Sequence, residues 1–545
     1  MKLLVALLTS FLFIAPLSAA PPKLDRIFPA GGQRGTTVEI ECHGDFSWPI
    51  QAWAPGVEVE VTDTKGLLKV AIPSDIATDR VWIRLYDGEG VTDKVAFLID
   101  SLLELQEAEP NNSHKQSQKI AEPSVLINGI LEQNGDVDAF EIQVEEGQTL
   151  VAALDANTRL NSPMDSILQV VSPRGHVLAE NHDAIGLDPR LAYTATESGP
   201  VIVRLFAFPA KPGTSIQLHG GADYLYRLTL TTGPYITHAD PMTVSLANPG
   251  EVEVKGWNIP PRTKLPVSRL GGGYLKNAPE YESAEDARIS PKCRIGYVYT
   301  DHIASGVRIR LAPYEINSNP EQVPDGSATI LTMPNAMMGN ISEPNEVDRY
   351  LVSVKQGDPL VIAVESQDLA SPLVPLVRLK DATGKVVSEI LETGPEQDAV
   401  ITYTAAEDGE YELAVTDRYR QGGDWFDYRV TARVEEAAFE LVPSTEKVTV
   451  SPGAPAKLEI TIRRRSGRDE TVGAIRIQAT NLPPGVKCPE VVSEPGEETA
   501  DKVSLEFSTS GVVQATGPVV ILGVAGDRQT SNLLFGFVTT IVNAP

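Results

Sequence analysis

Apolar and polar positions alternate in short runs along most of this chain. VEIECHG at 38–44, LLKVAIPSD at 67–75, RVWIRLYDGEG at 80–90 and ITYTAAEDGEYELAVTD at 401–417 combine a period of two with nearby Gly, Pro or Asp. A period of two puts successive side chains on opposite faces of a strand, and the interrupting residues supply turns. The pattern predicts strands throughout. Helical periodicity is scarce beyond the first twenty residues, so the expectation is an all-β chain of tandem β-sandwiches rather than barrels or α/β units.

The pattern also repeats. Gly129, Asp138, Phe140, Gly147 and Leu150 return 210 residues on as Gly339, Asp348, Tyr350, Gly357 and Leu360. Ser162-Pro163 and Gly175 return as Ser371-Pro372 and Gly384 at 209, and Tyr193-Thr194 and Gly199 as Tyr403-Thr404 and Gly409 at 210. Tyr226-Arg227 answers Tyr428-Arg429 at 202, so the first copy carries a longer loop around FPAKPGTSIQLHGG. Register held over so long a stretch marks two copies of one β domain, at 104–234 and 326–435. The flanks are a β domain at 21–103, a small β domain or elaborated linker at 235–325, and a final sandwich at 436–545, where KLEITIRR, AIRIQAT and VSLEFSTSG alternate well.

Composition narrows the class. At 545 residues and 42% hydrophobic the chain exceeds one compact core. Residues 1–20, MKLLVALLTSFLFIAPLSAA, set one lysine before an apolar run ending in small residues, which predicts an export signal and a periplasmic, extracellular or envelope-associated protein. No later run is long and apolar enough for a transmembrane segment. A formal charge of -27 opposes nucleic acid and anionic membranes as partners, and most of the acidic residues are expected to form a solvated surface. Cys42, Cys293 and Cys488 are too scattered for a disulfide framework.

Ordered along the first copy are EPNN at 109–112, NGDVDAFEIQVEEGQTL at 134–150, NSPMDSILQVVSPRGHVLAENHD at 161–183 and GADYLYRLTL at 221–230. Together these resemble the bacterial pre-peptidase C-terminal (PPC) domain, a jelly-roll-like β-sandwich appended to secreted peptidases and akin to collagen-binding domains. The second copy keeps NEVDRYLVSVKQGDPL and DGEYELAVTDRYRQGGDWFDYRV, lacks the EPNN lead, and has Val374 in place of Asp165. IFPAGGQRGTTVEIECHGDF at 27–46 resembles the opening of immunoglobulin-like TIG domains, ANPGEVEVKGWNIP at 247–260 is a degenerate echo of it, and NLPPGV in the last 110 residues is a phrase of bacterial immunoglobulin-like modules.

In calcium-binding PPC relatives the acidic lead and the following Asp-rich turn wrap a cation. The resemblance therefore implies a calcium site at Glu107, Glu109, Asn111, Asn112, Asp136 and Asp138. Calcium takes six to eight hard oxygens in flexible geometry, which suits these side chains. The competing reading is that they satisfy backbone groups in tight turns. In the second copy Asp348 stands without its partners. A further polar cluster, Asp165 with Asn181 and Asp183, is either a ligand site or a loop brace.

Catalytic machinery is not recognisable. None of the seven histidines sits in H-E-x-x-H spacing, and there is no G-x-S-x-G elbow, P-loop, dinucleotide fingerprint or C-x-x-C pair. Cys42 and His43 are adjacent on a strand and face opposite ways. RRRSGR at 463–468 reads as a solvated hairpin turn or a contact for an acidic polymer. The expectation is a non-catalytic binding or adhesion protein for extracellular protein or polysaccharide, with Tyr419 and Trp425 as exposed contact candidates and Tyr428 in the core. The alternative is a structural spacer or envelope scaffold.

Overall fold

The computed structural model describes residues 21–540 apart from 88–89, 212, 214–216, 270–294, 302, 313–320, 323–326, 367–370, 392–398, 424, 446, 451–452, 510–517 and 527. The expected export signal at 1–20 and Cys293 lie outside the described residues. Among those described, the only helix is the single turn Asn157–Leu160, and no helix is long and apolar enough to cross a membrane. The chain is all-β.

Its sheets fall two by two into five modules. Lys23–Phe28, Thr37–Asp45, Leu67–Ala71 and Glu58–Val61 form one sheet of the first, and Gly31–Gln33, Val95–Asp100, Arg80–Tyr86 and Gln51–Trp53 the other. Ile40 and Cys42 are buried while Glu39 and Glu41 between and beside them are exposed, so the alternation read in the sequence is the inside and outside of a sandwich. Burial pushes the free Cys42 thiol up to about 12, which leaves it inert. The second module packs two five-stranded sheets around Phe140, Leu150, Leu168, Val203 and Leu228. The fourth packs a six-stranded and a four-stranded sheet around Tyr350, Leu360, Val377, Leu413 and Tyr428. The last surrounds Leu458, Ile460, Ile475, Leu505 and Phe507.

Residues 235–312 form a third sandwich with a core of its own, including Ile236, Val252, Val254, Val298 and Ile309. Among the described residues it repeats part of the first module. Strands Tyr235–Asp240, Thr243–Ser245 and Val307–Ala312 lie 212 residues after Lys23–Phe28, Gly31–Gln33 and Val95–Asp100. The parallel pair Gly31↔Leu98 returns as Thr243↔Arg310, and the bulge between Leu24 and Arg26 returns between Ile236 and His238. Gly44 and Gly256 sit against the backbone of Lys23 and Tyr235, where a Cβ would overlap the carbonyl. The duplicated unit is thus a pair of modules, first with second and third with fourth.

Within each pair the joint uses the arginine of the repeated Tyr-Arg. Arg227 lies against Gly31 of the first module and is held by Glu104 at 2.8 Å and by Asn128 at 3.0 Å. Arg429 is held by Glu365 at 2.7 Å, and Glu365 also takes Arg310 of the third module at 2.7 Å. The two pairs are then joined to each other. Leu126, Val151 and Ala153 on the outer face of the second module pack with Tyr235 and Ala304 of the third. Asp79 of the first module receives Arg159 of the second and Arg308 of the third, each at 2.8 Å. The Arg34 guanidinium lies 4.3 Å from the Tyr299 ring centroid, a cation–π contact across the same joint.

Candidate functional site

The lead segment leaves strand Leu103–Gln106 and, although strands Gln118–Ile120 and Ser124–Ile130 intervene in sequence, lies against the start of strand Asp138–Val144. The Asn111 carbonyl accepts the Ala139 N–H at 3.0 Å, which anchors the lead to that strand. The turn before that strand is built by Asp136, whose carboxylate accepts the backbone N–H groups of Glu132 at 2.6 Å and Val137 at 3.0 Å. The result is a cluster in which one carboxylate oxygen each of Glu109, Asp136 and Asp138 lies within 4.8 Å of the others. Among the described residues no other acidic, His or Cys group is gathered this way.

Three observations bear on whether a cation fits. Asp136 and Asp138 are buried, which concentrates negative charge away from water. One oxygen of Asp138 and both side-chain polar atoms of fully buried Asn111 have no protein hydrogen-bond partner. Such orphans cost on the order of 1–3 kcal/mol each unless something satisfies them. Asn111 belongs to this cluster because its N–H donates to Glu109 at 2.9 Å. A hard dication accepting the Asn111 amide oxygen and the three carboxylates satisfies the buried oxygens together. The donor set fits calcium.

Besides Asp136, whose two oxygens also brace the turn, two of the six expected ligands do other work. Glu107 spends one oxygen on the Ile130 N–H at 2.6 Å and the other on the Tyr226 hydroxyl at 2.6 Å. Asn112 is exposed, and its amide donates to Glu109 at 2.8 Å, steadying a ligand rather than serving as one. The residue that sequence reasoning missed is Tyr226. Its hydroxyl lies between Glu107 and Asp138, 2.5 Å from the latter, but carries a single proton for two carboxylates. Burial first, then the neighbouring Glu107, hold the Asp138 carboxyl well above the usual carboxylate range, and burial raises Glu107 as well. Without a cation the pair therefore retains a proton; a dication supplies the positive charge that lets both ionise. The signal for Tyr226 was its repetition with Gly129. A Cβ at Gly129 would overlap the Tyr226 hydroxyl, so the glycine makes the space in which it sits.

The second copy retains the glycine and the tyrosine but changes the chemistry. Gly339 gives room to Tyr428, whose hydroxyl lies 2.5 Å from Asp348 and 2.5 Å from the Tyr350 hydroxyl. The neighbour of that glycine is Glu107 in the first copy and Tyr350 in the second. Tyr350 stands where the first copy has Phe140, so a phenol replaces the carboxylate and closes the network without a second buried charge. Glu346, at the place of Asp136, caps its own turn through Glu343 N–H at 2.8 Å.

The remaining candidates divide. Tyr419 is 64% exposed. Trp425 is 46% exposed, yet its ring packs on Trp257 of the third module at 5.3 Å between centroids, which makes it part of a joint. Asn181 accepts the Arg190 N–H at 3.0 Å and braces its loop, while burial and Asp183 raise the Asp165 carboxyl. The basic run is largely absorbed. Arg463 and Arg465 face Glu440, Arg464 donates to Ser493, and Arg468 pairs with Asp358 of the fourth module.

No protein-family model matches the chain, and no curated protein does. Among solved structures, the pre-peptidase C-terminal domain of a Bacillus anthracis collagenase is similar at 15% identity and TM-score 0.16, covering 22% of this chain and 98% of that one. Fibronectin(III)-like modules of Clostridium thermocellum CbhA match at 13% identity and TM-score 0.14, over 38% of this chain and 94% of theirs. The N-terminal four immunoglobulin domains of Dscam1 match at 8% identity and TM-score 0.19, over 96% and 99%. These are likenesses of β-sandwich fold.

Proposed function

We propose that this is a non-catalytic, exported, multimodule binding protein whose second module is clamped by calcium and whose other modules are held in a fixed array to meet extracellular protein or polysaccharide. The observation that carries the reading is the cluster of exposed Glu109 with buried Asp136 and Asp138, beside the buried and partnerless Asn111 amide. A cation there ties the lead segment to the sandwich. Strand Leu103–Gln106 also carries Glu104, the partner of Arg227 at the first joint, so the clamp lies next to the contact that orients the first module. The resemblance of the repeats to PPC domains supports the same reading.

Calorimetric titration of calcium into the chain, beside a Glu109→Ala/Asp138→Asn variant, tests it. A saturable heat lost in the variant supports the clamp; no heat at millimolar calcium, or heat that survives the substitutions, refutes it. A second reading, a spacer or envelope scaffold without a ligand, is favoured by the Asp79 joint linking three modules. A pull-down against extracellular glycans and matrix proteins separates the two, since a scaffold of this kind captures neither.

A further inference from the structure

The loop from Asp417 to Gly423 in the fourth module presents its side chains on a braced backbone. The buried Asp417 carboxylate accepts the N–H groups of Val374 at 3.1 Å, Tyr419 at 2.8 Å and Gln421 at 2.9 Å. Arg420 has φ 61°, and Asn345 N–H bonds its carbonyl at 3.3 Å. Gly422 lies so close to the Glu343 backbone that a Cβ would overlap it. The loop is held from below.

What it holds outward is Arg418, Tyr419, Arg420 and Gln421, all exposed. The Arg418 guanidinium flanks the Tyr419 ring at 5.9 Å. No carboxylate of the described residues pairs with Arg418 or Arg420, although acidic side chains outnumber basic ones 73 to 46. The arginines at the module joints are spent on carboxylates, as at Arg159, Arg227, Arg308 and Arg429. The two copies also diverge here, since the offset falls from 210 to 202 across this loop.

We propose that this loop is a contact site for a carboxylate-bearing polysaccharide, Tyr419 covering the face of a sugar ring while Arg418 and Arg420 engage uronate carboxylates. The inference rests on the binding reading above and names its ligand class. An aromatic face suits the C–H face of a pyranose, and a guanidinium fork matches a carboxylate in two parallel hydrogen bonds. An acidic peptide supplies the carboxylates without the ring.

The test uses the chain in calcium-free buffer with immobilised hyaluronan, dextran and poly-glutamate as probes. Tyr419→Ala and Arg418→Gln/Arg420→Gln are compared with wild type, with unchanged thermal midpoints as the folding control. The expected result is salt-sensitive hyaluronan binding that falls about tenfold or more in each variant, with dextran not bound and poly-glutamate bound at least about tenfold more weakly. Variants that bind hyaluronan like wild type overturn the proposal, as does a wild type that prefers poly-glutamate or dextran or binds no probe. Capture of dextran or poly-glutamate removes this ligand assignment while leaving the binding reading intact; failure of the wider glycan and protein pull-down removes that reading itself.

Discussion

Asp79 offers the sharpest perturbation of the module array. Its carboxylate is 14% exposed and receives guanidinium groups from two other modules. Burial pushes the carboxyl up, but Arg159 and Arg308 together overrule it and hold it down at about 2, against an ordinary 3.8. A depression of this size corresponds to about 2.5 kcal/mol of stability at neutral pH. Because the folded-state value is lowered, that stability is present above about pH 4 and is lost as pH falls from there through about 2. Asp79→Asn keeps the shape and removes the charge, leaving two arginines facing each other. The expected outcome at pH 7 is a first urea transition weakened by about 2–3 kcal/mol and a larger radius of gyration by small-angle scattering. The gap between variant and wild type should close as pH drops from 5 to 2. A gap independent of pH, or an Asp79→Asn/Arg308→Gln double variant whose effects simply add, would refute the assignment of Asp79 as the ion that joins the pairs.

Three further outcomes follow from the geometry. Gly129→Ala and Gly339→Ala should each destabilise their module by about 2–3 kcal/mol, measured by urea unfolding, because a methyl group displaces the Tyr226 or Tyr428 hydroxyl. Chelation should lower the thermal midpoint of the wild type and leave Asp138→Asn unmoved, a loss of about 2.7 kcal/mol where calcium had stood at a hundred times its dissociation constant. Trp425→Ala should change tryptophan fluorescence and loosen the joint with Trp257 while leaving capture of extracellular ligands intact; a selective loss of capture without loosening would restore Trp425 as a contact residue.

The fold was legible because its information is local. Ile40 and Cys42 against Glu39 and Glu41 announce a half-buried strand, and the 210-residue offset announces a copy. Glu109, Asp136 and Asp138 were legible together only through the resemblance to PPC domains, since two strands separate the lead from the turn. What escaped depends on pairs remote in sequence. Gly129 and Tyr226 meet only through the register of strands Ser124–Ile130 and Leu225–Thr231. Trp425 reads as exposed until Trp257 is placed beside it, and RRRSGR reads as a patch until Glu440 and Asp358 are placed around it. The third module was only partly visible because its echo of the first is carried by strand pairing and one bulge more than by side-chain identity.

The exchange of Glu107 for Tyr350 beside the two glycines has a mechanical consequence. A copy closed by two phenols and one acid holds its shape whatever the surrounding metal concentration. A copy closed by two acids does so by keeping a proton between them or by taking up a cation. Under the calcium reading, the two halves of the chain differ in compliance. In calcium-poor surroundings, once that proton leaves, the half nearer the amino terminus slackens first while the other stays stiff, so a load along the protein yields at one known place and recovers when the metal returns.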